Sequence, residues 1–286
     1  MKWFDYSAPR TLDEAVATYA SHPQARLLAG GTDILVQMRA GRKEADLVID
    51  TKSIPELNEM HLNGGLTLGA AVPCCRIYED AALKAAFPAL AEVASIIGGI
   101  QIQGRASIGG NLCNAAPSAD SVPLLIALGA TCRIVYKGGE RSVAVEDFCT
   151  APGQNVLQPG ELLVSIHIPE PEPESGSHYL RFIPRNEMDI AVVGVGVAVT
   201  LHGETITAAR LALASVAPTP LFVRAAGDVL VGQPATENSI NKAALIAKDA
   251  ASPITDMRGT ADYRRHLCAV LTRRALRAAI VQAKGA

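Results

Sequence analysis

The stretch Ser107–Pro123, Ser-Ile-Gly-Gly-Asn-Leu-Cys-Asn-Ala-Ala-Pro-Ser-Ala-Asp-Ser-Val-Pro, constrains this chain more than any other. Its only charged residue is Asp120; the rest is largely glycine, small side chains and amides. Glycine permits close backbone approach and positive φ. The amide groups of such a segment can then converge on an anion as a nest. A tight turn between two strands uses the same residue types. The stretch alone leaves both readings open.

A second segment of the same kind lies upstream. The apolar run Arg26-Leu27-Leu28-Ala29 predicts a strand, and it enters Gly30-Gly31-Thr32-Asp33 before the helix-like Ile34–Arg39. Strand, glycine pair and helix start is a layout that presents amide groups to a phosphate. Neither loop, Ala29–Asp33 or Ser107–Asn111, contains Lys or Arg. Two such turns facing each other would hold a pyrophosphate with backbone dipoles instead of charges.

The surrounding pattern is α+β. Thr11-Leu12-Asp13-Glu14 is a capping box that predicts a helix to about His22. Leu47–Asp50 reads as a strand, and Asn63-Gly64-Gly65 as a hairpin turn before a strand over Leu66–Val72. Residues 79–97 predict a helix interrupted at Pro88. Ile100–Gln103 reads as an alternating strand, Leu124–Leu128 as a short helix, and Cys132–Tyr136 and Leu162–Ile168 as strands. Three alternating prolines with acids between them, from Pro169 to Glu174, predict an extended connector. Beyond it come strands around 179–183, 192–201 and 208–216, then helices near 223–231, 237–250 and 262–284. The expected units are 1–57, 58–170 and 177–286, with 171–176 as linker.

Composition removes several function classes. A net charge of −2 and 4% aromatic content disfavour a nucleic-acid surface. The N-terminus lacks the apolar core of a signal peptide, and no run is long enough to span a bilayer. The six cysteines form no C-x-x-C pair, so free thiols in the cytoplasm are expected, and no iron–sulfur cluster on this chain. Gly194-Val195-Gly196-Val197 lacks the third glycine of a dinucleotide fingerprint and continues as a strand. The six histidines are scattered, and no nucleophile motif accompanies them. The arginines of the last helix read as a solvated face or as a docking stripe for a partner.

Ala-Gly-Gly-Thr-Asp followed about 75 residues later by Ser-Ile-Gly-Gly-Asn resembles the FAD-binding medium subunit of the molybdenum hydroxylases, the xanthine oxidase and carbon monoxide dehydrogenase family. Glu161–Ile166 and Arg185-Asn186-Glu187-Met188-Asp189-Ile190-Ala191 fall in the family's order, and the likeness spans the chain. It implies a flavin fold of the p-cresol methylhydroxylase (PCMH) type followed by a C-terminal domain of antiparallel sheet and helices. It implies noncovalent FAD, with Leu27, Leu28, Ala29, Gly30, Gly31, Thr32 and Asp33 facing Ser107, Ile108, Gly109, Gly110 and Asn111 across the pyrophosphate. By the same resemblance Asp120 binds sugar hydroxyls, although an Asp there also reads as a helix cap. Ile97 borders the adenine side, and Leu163 lines the flavin pocket. Ile190 lies against the isoalloxazine ring, a position that also suits a core strand residue. Arg181 stands near the pyrimidine end, where the family often has Lys, so the charge is kept on a longer planar group.

No residue of this chain is implied to be catalytic. The resemblance implies an electron-transfer subunit of a heterotrimer, paired further into a dimer of heterotrimers. A small subunit would carry the [2Fe–2S] clusters and a large subunit the molybdenum cofactor. Two other readings stay open at this point. One is a self-contained NADPH-dependent reductase of the UDP-N-acetylenolpyruvoylglucosamine type, with Ser215 and Glu237 as its proton-transfer candidates. The other is a nucleotide-binding scaffold that holds no flavin.

Overall fold

The computed structural model describes residues 1–285 and contains three main sheets, each with its own packing partners. In the first, Leu47–Asp50 lies between Asp5–Ser7 and Arg26–Leu28, all parallel. Its central strand is buried along its whole length, as expected for a parallel strand covered on both faces. Thr11 caps the helix Leu12–Ser21 through Glu14 N, while the Glu14 carboxylate accepts from Arg10 N. That helix packs on Leu162 and Val164 of the second sheet and so ties the first unit to the next.

The second sheet is antiparallel, with Leu162–Ile168 in the centre flanked by Leu66–Gly69 and Thr131–Tyr136. Met60–Leu62 and Gly139–Ala144 form its edges, and Gly64 and Gly65 take positive φ in the predicted hairpin turn. Leu163, Ile166 and Ile168 face a helical layer, whereas Leu162 and Val164 face the N-terminal helix. Arg141 donates two bonds to the Glu161 carboxylate beside this sheet, at 2.8 and 2.7 Å.

Several sequence expectations change here. The helix expected over 79–97 is two helices, Ala81–Ala86 capped by Asp80 and Pro88–Ile96 opened at the expected Pro88, and a separate short helix, Cys74–Glu79, precedes them. Ile100–Gln103 is one helical turn, not a strand. Glycines flank it, and the amides of Ile102 and Gln103 bond back to Gly99 O. Its alternation misleads because Gln103 is the buried member and Ile100 is 80% exposed. Ser107–Asn111 is the first turn of the helix Ile108–Asn114, not a turn between strands: Ser107 Oγ accepts from Gly110 N at 3.0 Å.

The third sheet is antiparallel, in the order Ser175–Phe182, Val193–His202, Thr205–Ala214, Leu221–Phe222. Its first strand begins inside the expected linker, so Ser175 and Gly176 are already paired with Thr200 and Val199. Alternate valines of Val193–His202 face the helices Glu237–Ala250 and Ala261–Ala283. The opposite face receives the helix Ser121–Ala127 of the middle unit. A Cβ on Gly196 would lie 2.5 Å from Pro123 C, so this glycine lets the two units meet. The Gly-Val-Gly motif thus serves sheet packing, as its sequence pattern indicates. Among the described residues, no helix is long and apolar enough to cross a membrane.

Candidate cofactor site

The two glycine segments come together at one seam. Gly30 packs so closely on the chain before Ser107 that a Cβ there would lie 1.8 Å from Arg105 O. Arg105 Nε donates to Gly30 O at 3.4 Å, and Gln37 Nε2 donates to Asn114 Oδ1 at 2.8 Å. Each segment ends at a helix start. Gly31 takes φ +81° ahead of Ile34–Arg39, and Ser107 caps Ile108–Asn114. Across the seam from Gly30, Gly109 packs against Ala70, where a Cβ would lie 2.4 Å from the carbonyl oxygen.

Most amides of these two turns are unspent. Among the described residues, those of Gly31, Thr32, Asp33 and Ile34, and that of Gly109, find no acceptor, whereas Ile108 is tied into the bridge between Pro73 and Ser107. Unpaired N–H groups at helix starts are donors for an anion. At Gly30 and Gly109 the missing side chain itself serves packing, since backbone and not open space faces their Cβ positions. Gly110 is the open member: only Ser107 Oγ approaches its would-be Cβ, at 2.9 Å.

A cleft of about 390 Å³ adjoins this seam, lined by Tyr78, Ile96, Gly98, Gly99, Arg181 and Asn186 among others. Gly98 leaves the helix Pro88–Ile96 with φ +64°, and Gly99 starts the turn that leads to Arg105. Over the cleft runs the segment 184–191. Gln101 Nε2 contacts Met188 Sδ at 2.9 Å, and Asp189 takes long ion pairs from Arg185 and Arg258, both at 3.9 Å. Ile190 sits on this segment 51% exposed, not in a strand core.

Asp120 stands at the start of Ser121–Ala127 but caps nothing with its side chain. Its Oδ1 accepts from Tyr179 Oη at 2.7 Å, and its Oδ2 from Arg181 Nη1 at 2.6 Å. Burial pushes the Asp120 carboxyl above the usual carboxylate range, against the opposing pull of Arg181 and Tyr179. The Tyr179 hydroxyl is pushed well above its ordinary value by burial and by the adjacent carboxylate. Leu28, Ile97 and Leu163 are buried beneath the surface, Leu163 only 4% exposed in the middle core. Leu27, Ala29, Thr32 and Asn111 remain half-buried along the seam, and Asp33 is exposed.

Sequence reading missed Gly98–Gly99 and Tyr179. The first is a further glycine pair, visible in Ile96-Ile97-Gly98-Gly99. The second lies two residues before Arg181 in one strand, so the pleat puts both on the same face. Ser215 and Glu237 do not form a proton-transfer pair. Glu237 is spent on a bidentate bond with Arg277 at 2.6 Å for each oxygen, while Ser215 Oγ is enclosed without a partner among the described residues. Those residues also hold no group of His, Cys, Asp or Glu able to bind a metal.

The donor set fits an elongated anionic cofactor: unpaired amides along a seam, a cleft at one end, and a cation on the cleft wall. Two family descriptions match the chain. They are the FAD binding domain in molybdopterin dehydrogenase, over residues 2–171, and the CO dehydrogenase flavoprotein C-terminal domain, over residues 178–279. The xanthine dehydrogenase FAD-binding subunit of Escherichia coli O157:H7 is 31% identical over 283 residues, covering 98% of this chain and 97% of its own length. The carbon monoxide dehydrogenase medium chain of Afipia carboxidovorans is 32% identical over 283 residues, with 98% of each covered. Among solved structures, Cu,Mo-CO dehydrogenase matches with a TM-score of 0.93 at 31% identity over 98% of each chain. Quinoline 2-oxidoreductase from Pseudomonas putida 86 matches at 0.91 and 30% over 99% of each. The chain belongs to the FAD-binding medium subunits of the molybdenum hydroxylases, an oxidoreductase family. The reductase and scaffold readings give way to this one.

Proposed function

We propose that this chain holds FAD along the seam and cleft, as the electron-transfer subunit of a heterotrimer. Residues 27–33 and 107–111 would take the pyrophosphate, with the unpaired amides of Gly31–Ile34 and of Gly109 as donors. The observation carrying this reading is that, among the described residues, the amides of Gly31–Ile34 and of Gly109 have no acceptor although they lie at two helix starts on one seam. Ile97 and Leu163 would form the floor, and Ile190 would cover the ring system. Arg181 would stand at the pyrimidine end, favouring added negative charge there. Each Asp120 oxygen keeps a lone pair for a sugar hydroxyl beyond its present donors.

Bound FAD supplies the redox chemistry; the protein supplies binding, orientation and electrostatics. The partners in this reading are an iron–sulfur small subunit and a molybdopterin-binding large subunit, joined as a dimer of heterotrimers. The working units are 1–57 and 58–170 for the cofactor and the C-terminal unit, which starts with the strand at Ser175, as its cover and docking domain. Six free cysteines support a cytoplasmic setting.

Gly110→Glu tests the site, because it brings a carboxylate to the seam without meeting backbone. FAD affinity of the purified chain should fall at least about a hundredfold, with the apoprotein's thermal midpoint within a few degrees of wild type. A variant that binds FAD as tightly as wild type would overturn the assignment. The wild-type chain alone should be yellow and should oxidise no substrate.

A further inference from the structure

Three side chains from two units converge below the cleft: Tyr179, Asp120 and Arg181. We propose that Tyr179 is a positioning residue for Arg181. Its hydroxyl fixes one oxygen of Asp120, and the other oxygen fixes the guanidinium on the cleft wall. The consequence for flavin rests on the reading above, in which this cleft receives the ring system.

The geometry makes the linkage specific. A carboxylate held only by Arg181 could rotate about its own Cβ–Cγ bond and carry the guanidinium with it. A donor on each oxygen, at 2.7 Å and 2.6 Å, stops that rotation. All three groups are largely closed to solvent: Tyr179 is 3% exposed, and the side chains of Arg181 and Asp120 are 10% and 12% exposed. Water therefore offers little replacement for a lost partner. Burial already raises the proton affinity of Asp120, so the carboxylate depends on both donors.

The third sheet makes room for this arrangement. Gly194 pairs with Arg181 across the ladder, and a Cβ on Gly194 would lie 2.4 Å from Tyr179 Oη. Any side chain there would push the hydroxyl off Asp120. The first glycine of the Gly-Val-Gly motif thus houses the Tyr179 hydroxyl.

The test uses the full chain with ¹⁵N-labelled arginine. In the wild type, Arg181 should show slowly exchanging guanidinium resonances. In Tyr179→Phe, which keeps the ring, and in Gly194→Ala, which displaces the hydroxyl without removing it, those resonances should broaden or exchange rapidly. Arg264, which is buried and bonds Val192 O and Asp256, serves as an internal control and should be unmoved. Unchanged Arg181 resonances in both variants would overturn the proposal. FAD affinity then supplies a double-mutant cycle. Tyr179→Phe should weaken binding about tenfold in the wild type and by no more than about twofold in an Arg181→Met background. Equal losses in both backgrounds would reduce Tyr179 to a structural role and overturn it as well. If the resonances respond but Arg181→Met itself leaves FAD affinity unchanged, the positioning stands and the placement of flavin beside Arg181 falls.

Discussion

A methyl group on Gly30 would have nowhere to go. Its position lies 1.8 Å from Arg105 O and 2.4 Å from the carbonyl carbon, and backbone cannot swing aside as a side-chain tip can. Gly30→Ala should therefore part the two glycine segments, at about 1–3 kcal/mol of stability in urea unfolding. Gly104 is the contrast. It has φ −69° after the turn Ile100–Gln103, and nothing lies within 4 Å of a Cβ there. Gly104→Ala should raise stability by about 0.4–1 kcal/mol, because alanine restricts only the unfolded chain. Destabilisation by both substitutions, or by neither, would contradict this division of roles. Sequence marks Gly30 and Gly109 as special without saying why. They read as ligand-facing, and the structure adds a second demand: backbone lies against the Cβ positions of both, so chain-on-chain packing excludes a side chain there.

The helix Ser121–Ala127 is the element on which the units depend. It is buried throughout, packing on the middle core on one side and on the third sheet on the other. Contact with the sheet needs Gly196, where a Cβ would lie 2.5 Å from Pro123 C and 2.6 Å from Leu124 N. Gly196→Ala should loosen the two units, costing about 2 kcal/mol. It should also speed proteolysis of the exposed Pro169–Glu174 segment, read by fragment masses; an unchanged cleavage rate would refute the role. At this scale the sequence told much. Hydrophobic runs located the central strands, and Thr11, Pro88 and the proline-rich connector marked boundaries. It failed where tertiary contact decides. Ile100–Gln103 alternates like a strand but has no strand beside it, so its amides close a helical turn. Tyr179 joined no motif because its partner, Asp120, lies 59 residues away.

Across the whole molecule the three sheets differ in how much core supports them. The C-terminal unit has a continuous apolar cluster from Val192 to Ala283. The N-terminal parallel sheet rests on two small clusters, around Leu28, Met38, Ala45 and Val48 and around Ala25, Leu47 and Ile49. Its link to the middle unit is the helix Leu12–Ser21 on one side and the Gly30–Arg105 seam on the other. A cofactor bound along that seam adds its binding energy to this weaker junction. Native-state hydrogen exchange on FAD-stripped and FAD-loaded chain reads the difference. With free FAD at about a hundred times Kd, linkage contributes about 2.7 kcal/mol, or about a hundredfold in protection. That gain should appear in Arg26–Leu28, Leu47–Asp50 and Ile108–Asn114, whose opening breaks the seam. Amides of Val193–His202 and Thr205–Ala214 that exchange by local opening should keep their rates, since they lie in a core that the cofactor does not complete. Protection that rises equally in all three sheets would show one cooperative unit and refute the weak-junction argument; protection confined to the C-terminal sheet would place the cofactor elsewhere.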